Sequence, residues 1–246
     1  MYRKIKKGLL IAFAVFLVIA VVFGLYAGDY YHAELEAIQE LSLEGEYERM
    51  ERLEDGSLVF CPAEYDSAVI FYPGGKVEAL AYIPLMEHCA REGVLAVLMP
   101  MPFNLAVLAK DAAASIPEQF PEVEHWYMAG HSLGGSMAAS FAAENTAWVE
   151  GVILLAAYST EDLTKSGLQV CSLYGDRDGV LNPEKYEQYR SNLPQDTLEL
   201  VLEGGNHAGF GSYGAQEGDG VSTLEPGVQL QWTADTIWNF MENGQG

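Results

Sequence analysis

Short apolar runs alternate along this chain with longer segments of helical hydrophobic periodicity. The runs are mostly continuous rather than alternating with polar residues, which is typical of strands buried on both faces. Strands that alternate with helices predict an α/β fold with a mostly parallel sheet covered by helices on both faces. The eight predicted strands are Tyr47–Leu53, Ser57–Cys61, Ala68–Tyr72, Val94–Met99, Trp126–Ala129, Val152–Ala156, Val170–Tyr174 and Thr197–Leu202.

The first two predicted strands flank Asp55-Gly56, a dipeptide that favours a tight hairpin turn. Only Tyr158–Leu168 separates the sixth strand from the seventh, which leaves little room for an inserted lid. The sequence shows no internal repeat and no linker within its globular part. The predicted helices are Ala33–Leu43, Ala79–Glu92, Leu105–Ala114, Ser136–Glu144, Pro183–Asn192 and Val228–Met241.

A longer apolar segment, Leu9–Ala27, lies near the N-terminus and follows four basic residues. As a helix rising about 1.5 Å per residue it would span roughly 28 Å, close to the hydrocarbon thickness of a bilayer. A cleavable signal has a shorter apolar core of about 7–15 residues and a small-x-small site, which this segment matches poorly. We therefore expect a membrane anchor over residues 1–28, with a cleaved secretory signal as the alternative.

The basic flank should stay in the cytoplasm, so that the rest of the chain lies outside it. That remainder divides into a short stalk over residues 29–43 and a globular domain over residues 44–246. Four of the 13 basic residues lie in the first seven positions, which leaves nine against 35 acidic residues, a net charge of −26. Such a body repels nucleic acid. We interpret the acidity as a solvated surface.

Three scattered cysteines give no spacing typical of zinc binding. Cys61 and Cys171 lie in apolar runs and are predicted to be buried core residues. A disulfide between two of the three, Cys89 included, stays open at this point.

The central chemical signal is Gly130-His131-Ser132-Leu133-Gly134, a match to the G-x-S-x-G pattern. A nucleophilic serine on a sharp strand-to-helix turn needs small flanking residues, because the turn is crowded. The apolar run Trp126–Ala129 precedes the motif and a small-residue helical segment follows it. This context favours Ser132 as a nucleophile over an incidental serine in a glycine turn.

A nucleophilic serine requires a base, and the base requires an orienting acid. In folds that carry this turn, the chain order is serine, acid, histidine. His207 is the histidine that follows Ser132, and it lies in a glycine-rich loop after a predicted strand. The acid is expected in the loop after the seventh strand. Asp178 and Asp176 compete there, and we favour Asp178 because a short G-x-x-D turn lets its carboxylate reach the histidine.

The oxyanion of an acyl-transfer reaction requires preorganised backbone donors. One is expected to be the N–H of Leu133, the residue after the nucleophile. The second is expected in the loop after the third strand, where glycine permits close approach to a substrate. Gly75 and Lys76 are the two candidates, and the sequence does not separate them.

Three motifs occur along the chain in the order GHSLGG, GDRDGV and GGNH. In the order and spacing of these motifs the chain resembles the α/β-hydrolase superfamily, in particular its compact lidless esterase- and dienelactone-hydrolase-like branch. The resemblance covers roughly Tyr47 to Met241 and implies an eight-stranded, mostly parallel sheet and ester hydrolysis without a cofactor or metal. Many relatives carry His-Gly after the third strand, whereas this chain has Pro73-Gly74.

The leading hypothesis is therefore a serine hydrolase that acts on a small-molecule carboxylic ester. Thioesterase, amidase, peptidase and acyltransferase activities stay open, because the triad alone does not choose the leaving group. The alternative from another class is a membrane-tethered binding protein with a silent hydrolase fold. The sequence predicts that the protein associates with a membrane and does not bind nucleic acid. It does not predict the oligomeric state.

Overall fold

The computed structural model describes residues 2–43 and 45–244. Met1 of the predicted anchor, and Glu44, Gln245 and Gly246 of the predicted catalytic domain, lie outside the described residues. The chain forms two compact units, Met1–Tyr30 and Tyr31–Gly246.

The first unit is one long helix, α1 (Tyr2–Gly28). Its segment Leu9–Gly28 has 20 residues and a mean hydropathy of 3.0. The predicted N-terminal apolar helix is therefore present, and its length suffices to cross a bilayer. A membrane anchor and a signal sequence share these features.

The second unit contains one eight-stranded sheet in the order β1-β2-β4-β3-β5-β6-β7-β8. The strand β2 is antiparallel to both neighbours, and the remaining pairs are parallel. The predicted hairpin and the mostly parallel sheet are confirmed. The strands are β1 (Arg49–Arg52), β2 (Leu58–Cys61), β3 (Ser67–Tyr72), β4 (Leu95–Leu98), β5 (His125–His131), β6 (Val149–Leu155), β7 (Gln169–Gly175) and β8 (Leu198–Leu202).

Two apolar layers cover the two faces of this sheet. Successive residues of β3 alternate between them, because strand side chains point to opposite faces: Ile70 packs in the layer that contains Phe141, and Val69 packs in the layer that contains Leu85 and Ile237. Because helices cover both faces of the sheet, the strands are continuous apolar runs in the sequence. The helices of this unit are α2 (Leu35–Leu41), α3 (Ile83–Arg91), α4 (Leu133–Glu144), α5 (Pro183–Arg190) and α6 (Val228–Gly244).

The predicted helix over Leu105–Ala114 is wrong. This segment forms short 3-10 turns instead, Ala106–Leu108 and Ala112–Ser115. The Tyr72 hydroxyl at the end of β3 donates to the Lys110 carbonyl at 2.7 Å and accepts the Ala113 N–H at 3.0 Å. The Tyr72 hydroxyl thus forms hydrogen bonds with backbone groups that would pair with each other within an α-helix.

Residues 31–43, within the predicted stalk, belong to the compact second unit. The Tyr31 N–H donates to the Lys76 carbonyl at 2.7 Å, and the Leu43 N–H donates to the Glu87 carboxylate at 2.9 Å. Residues 156–168, between β6 and β7, form only bends and turns, so no lid lies at that position.

Candidate active site

Ser132 occupies the turn between β5 and α4, at φ 52° and ψ −121°. This conformation is rare for a residue with a side chain and is typical of a strained functional turn. The turn is closely packed: a Cβ on Gly134 would overlap the carbonyl oxygens of Tyr72 and Pro73, and one on Gly130 would lie 2.6 Å from the Gly134 backbone. Glycines at these positions let α4 begin directly against the end of β3.

Asp178 and His207 meet at the carboxyl ends of β7 and β8. The Asp178 Oδ2 lies 2.8 Å from the His207 Nδ1, and the two side chains are 2% and 1% exposed. The other carboxylate oxygen accepts the N–H groups of Val180, at 2.8 Å, and Leu181, at 2.7 Å. These bonds fix the carboxylate, which in turn fixes the orientation of the imidazole.

Asp176, the competing acid, is placed differently. It is exposed, and its carboxylate accepts the Gly204 N–H at 2.7 Å. Its bond joins the two loops that carry Asp178 and His207 and does not involve the imidazole. The structure therefore brings Asp178, and not Asp176, to the histidine.

Ser132 and His207 line one cavity of about 240 Å³. His207 Nε2 is buried and has no hydrogen-bond partner among the described residues, Ser132 Oγ included. The nitrogen that would serve as base therefore has no competing hydrogen bond from the described residues. The lining residues are Ser132, Leu133, Ser136, Ala156, Ala157, Tyr158, Val180, Leu181, Asn182, Lys185 and His207.

The backbone N–H groups of Leu133 and Gly75 are candidates for an oxyanion site. Leu133 is the first residue of α4, where N–H groups have no intrahelical acceptor. Gly75 lies against it, since a Cβ on Gly75 would come within 2.9 Å of the Leu133 side chain. The Gly75 N–H has no acceptor among the described residues. The Lys76 N–H, by contrast, donates to the Asn104 carbonyl at 2.7 Å.

Asp219 is a functional candidate that the sequence analysis missed. Its carboxylate accepts the N–H of Gly179 beside the acid at 3.0 Å, and those of His207 and Ala208 at 3.2 and 2.8 Å. It also accepts the Gly220 N–H at 2.8 Å. One carboxylate thus joins the acid loop to the histidine loop. The sequence gives only a weak signal for it, an acid between two glycines downstream of the histidine.

Tyr82 is a second residue that the sequence analysis missed. Its hydroxyl lies 2.8 Å from His131 Nδ1 and accepts the Gly74 N–H at 3.0 Å. It therefore connects the serine turn to the loop that carries Gly75. Burial, together with the neighbouring His207, holds the pKa of His131 well below its usual value. His131 is accordingly a neutral, structural part of this contact.

A sequence model of the alpha/beta hydrolase family matches residues 68–231 of this chain. The chain belongs to the α/β-hydrolase family. The matched segment includes the Ser132 turn and the loops of Asp178 and His207. No curated protein sequence matches this α/β hydrolase.

Solved structures show the same fold for this α/β hydrolase. TT1662 from Thermus thermophilus superposes with a TM-score of 0.60 at 17% identity, covering 80% of this chain and 97% of that one. A predicted CIB-like hydrolase from Thermoplasma acidophilum superposes with a TM-score of 0.55 at 16% identity, covering 78% and 98%. At these identities the likeness concerns the fold alone, and family membership supports a hydrolase.

Proposed function

We propose that this α/β hydrolase is a serine hydrolase that cleaves carboxylic esters through an acyl-enzyme. Ser132 is the nucleophile, His207 the general base and Asp178 the acid that orients it. The observation that carries the proposal is the buried 2.8 Å contact between Asp178 and His207, next to the cavity that Ser132 lines. A carboxylate fixed by backbone donors holds the imidazole with Nε2 facing the nucleophile.

In the first step the Ser132 Oγ attacks the ester carbonyl and His207 Nε2 takes its proton. The tetrahedral intermediate then collapses, and the proton passes from His207 to the leaving alkoxide, which departs as the alcohol. Water repeats the sequence on the acyl-enzyme and releases the acid. The hydrogen bond from Ser132 to His207 is expected to form with substrate bound, since such bonds are often long in free enzymes.

The N–H groups of Leu133 and Gly75 are proposed to bind the oxyanion. Leu133 follows Ser132 in the chain, Gly75 packs against the Leu133 side chain, and the Gly75 N–H has no competing acceptor among the described residues. The Lys76 alternative is less favoured because its N–H is already bonded to Asn104. Removing one such donor typically lowers kcat by roughly 10²–10³-fold.

Labelling with a fluorophosphonate, which reacts with activated serines, tests the proposal. The wild-type protein should take the label and hydrolyse short-chain aryl esters, and Ser132→Ala should abolish both. Ser136→Ala is the matched control, because Ser136 lines the same cavity and its hydroxyl donates to the Tyr158 carbonyl at 2.7 Å. This variant should keep its label.

Persistent labelling of Ser132→Ala would assign the reaction to another residue. A folded wild-type protein that takes no label and hydrolyses no ester would favour a non-catalytic binding role. A panel of ester, thioester and amide substrates with one acyl chain would then define the leaving group.

We also propose that α1 is an uncleaved anchor that keeps the catalytic unit outside the cytoplasm. The supporting observations are the 20-residue apolar segment and the basic cluster before it. Protease added to intact cells should remove the catalytic unit while the protein stays with membranes. Full-length protein in the soluble fraction would contradict the anchor, and a mature N-terminus near Gly28 would indicate a cleaved signal.

A further inference from the structure

The cavity at Ser132 differs in charge from the rest of the molecule. The chain carries 35 acidic residues against 13 basic ones. Among the described residues that line the cavity, however, none is Asp or Glu. The charged side chain on this lining is Lys185. The lining of this cavity thus carries a lysine and no carboxylate, although the Asp178 carboxylate lies behind His207.

The ammonium group of Lys185 has no ion pair or hydrogen bond among the described residues. Lys110 pairs with Asp111 and Glu144, and Arg190 pairs with Glu199. Lys165 and Arg177, like Lys185, have no ion pair among the described residues, but neither lines this cavity. The many carboxylates of the surface have thus not neutralised Lys185. A cation left unpaired at a cavity is available to an anionic ligand.

The position of Lys185 is tied to the candidate triad by short backbone contacts. The Leu181 N–H donates to the Asp178 carboxylate at 2.7 Å. The next residue, Asn182, caps α5 by accepting the Lys185 N–H at 2.8 Å. The lysine backbone is therefore fixed relative to the acid that orients His207, although its exposed side chain can move.

We propose that Lys185 makes this site select short esters that carry an anionic group, such as a carboxylate. The inference rests on the proposed esterase function and names its substrate class. The cavity of about 240 Å³, with apolar walls from Leu133 and Leu181, accommodates a short chain. The ammonium group then binds the anionic end of that chain. An exposed lysine is screened by solvent, so the effect should be moderate and should shrink as salt is added.

Two matched ester pairs test this with full-length protein in detergent. The first compares the hemiglutarate of 4-nitrophenol, a monoanion, with 4-nitrophenyl pentanoate. The second places the anion on the alcohol side and compares 4-butanoyloxybenzoate with its methyl ester. The measured quantity is the ratio of kcat/KM for the anionic ester to that for the neutral ester.

In Lys185→Met this ratio should fall about tenfold for at least one pair, which corresponds to about 1.4 kcal/mol. Lys185→Arg should keep most of the preference. Lys165→Met, which removes another exposed lysine that does not line the cavity, should leave the ratio at its wild-type value. Fluorophosphonate labelling of each variant verifies that its site is intact.

Ratios that are the same in Lys185→Met and wild type for both pairs would overturn the inference while leaving the esterase proposal standing. A wild-type protein that neither takes the label nor hydrolyses any of the four esters would instead overturn the proposed function itself.

Discussion

The two halves of the candidate site are held in place by different forces. The Ser132 turn depends on backbone packing: its φ is positive, and Gly134 leaves no space for a side chain against the end of β3. The loops of Asp178 and His207 depend on carboxylates, because Asp178 and Asp219 together accept six backbone N–H groups in these loops.

This difference follows from position in the sheet. The turn lies at the end of β5, a mostly buried strand that is paired on both sides. The histidine loop follows β8, a partly exposed strand at the edge of the sheet that the structure describes, so a strand flanks its start on one side only. The carboxylates of Asp178 and Asp219 supplement the packing there. The turn should therefore respond to residue size, and the loops to loss of a carboxylate.

The largest expected effect is that of His207→Ala, which removes the base. We expect kcat for an aryl ester to fall by roughly 10⁴–10⁶-fold, and the double variant with Ser132→Ala to be little worse, since the two residues act as one unit. Steady-state kinetics of both single variants and the double variant measure this. Losses that multiply would contradict the shared role.

Asp178→Asn should lower kcat by roughly 10³–10⁴-fold, because the amide cannot stabilise the imidazolium formed during attack. Asp176→Asn is the matched control from the same loop and should have a much smaller effect, since Asp176 bonds only the Gly204 backbone. The same ester assay compares them. A more severe loss in Asp176→Asn would reassign the acid.

Gly134→Ala tests the packing of the serine turn. The added methyl would overlap two backbone carbonyls that cannot move independently, so the variant should be destabilised by about 3 kcal/mol or more. Gly167→Ala is the control: it has open space but a φ of 80°, and should cost about 1 kcal/mol. Chemical denaturation followed by circular dichroism measures both. Equal stability of the two variants would show that the turn relaxes.

Asp219→Asn is expected to have the smallest effect, because the amide keeps one acceptor oxygen. We expect kcat to fall by roughly 10–100-fold with little change in KM, as expected for a residue that positions His207 without touching substrate. Asp162→Asn is the control, since that carboxylate accepts only local bonds from Thr164. A rise in KM with unchanged kcat would argue against a positioning role.

The sequence by itself determined the architecture and the place of the serine turn. Apolar run length and spacing are local signals, and they predicted the eight strands and the hairpin at Asp55-Gly56. The G-x-S-x-G pattern is local as well, because the crowding that demands its glycines arises within one turn. The order of motifs along the chain singled out His207 without any structural information.

Only the tertiary structure decided the features that depend on partners distant in the chain. The segment Leu105–Ala114 has helical periodicity, yet the Tyr72 hydroxyl takes its backbone groups. Gly75 and Lys76 are equivalent in the sequence and differ because Asn104 accepts one of their N–H groups.

The same reason explains why Asp219 gave no clear signal. Its role consists of bonds to the backbones of two loops, 40 and 12 residues away along the chain. Backbone N–H groups are the same in almost every residue type, so no sequence pattern indicates which carboxylate accepts their hydrogen bonds. Lys185 likewise becomes informative only when folding places it, unpaired, on the wall of the cavity that Ser132 and His207 share.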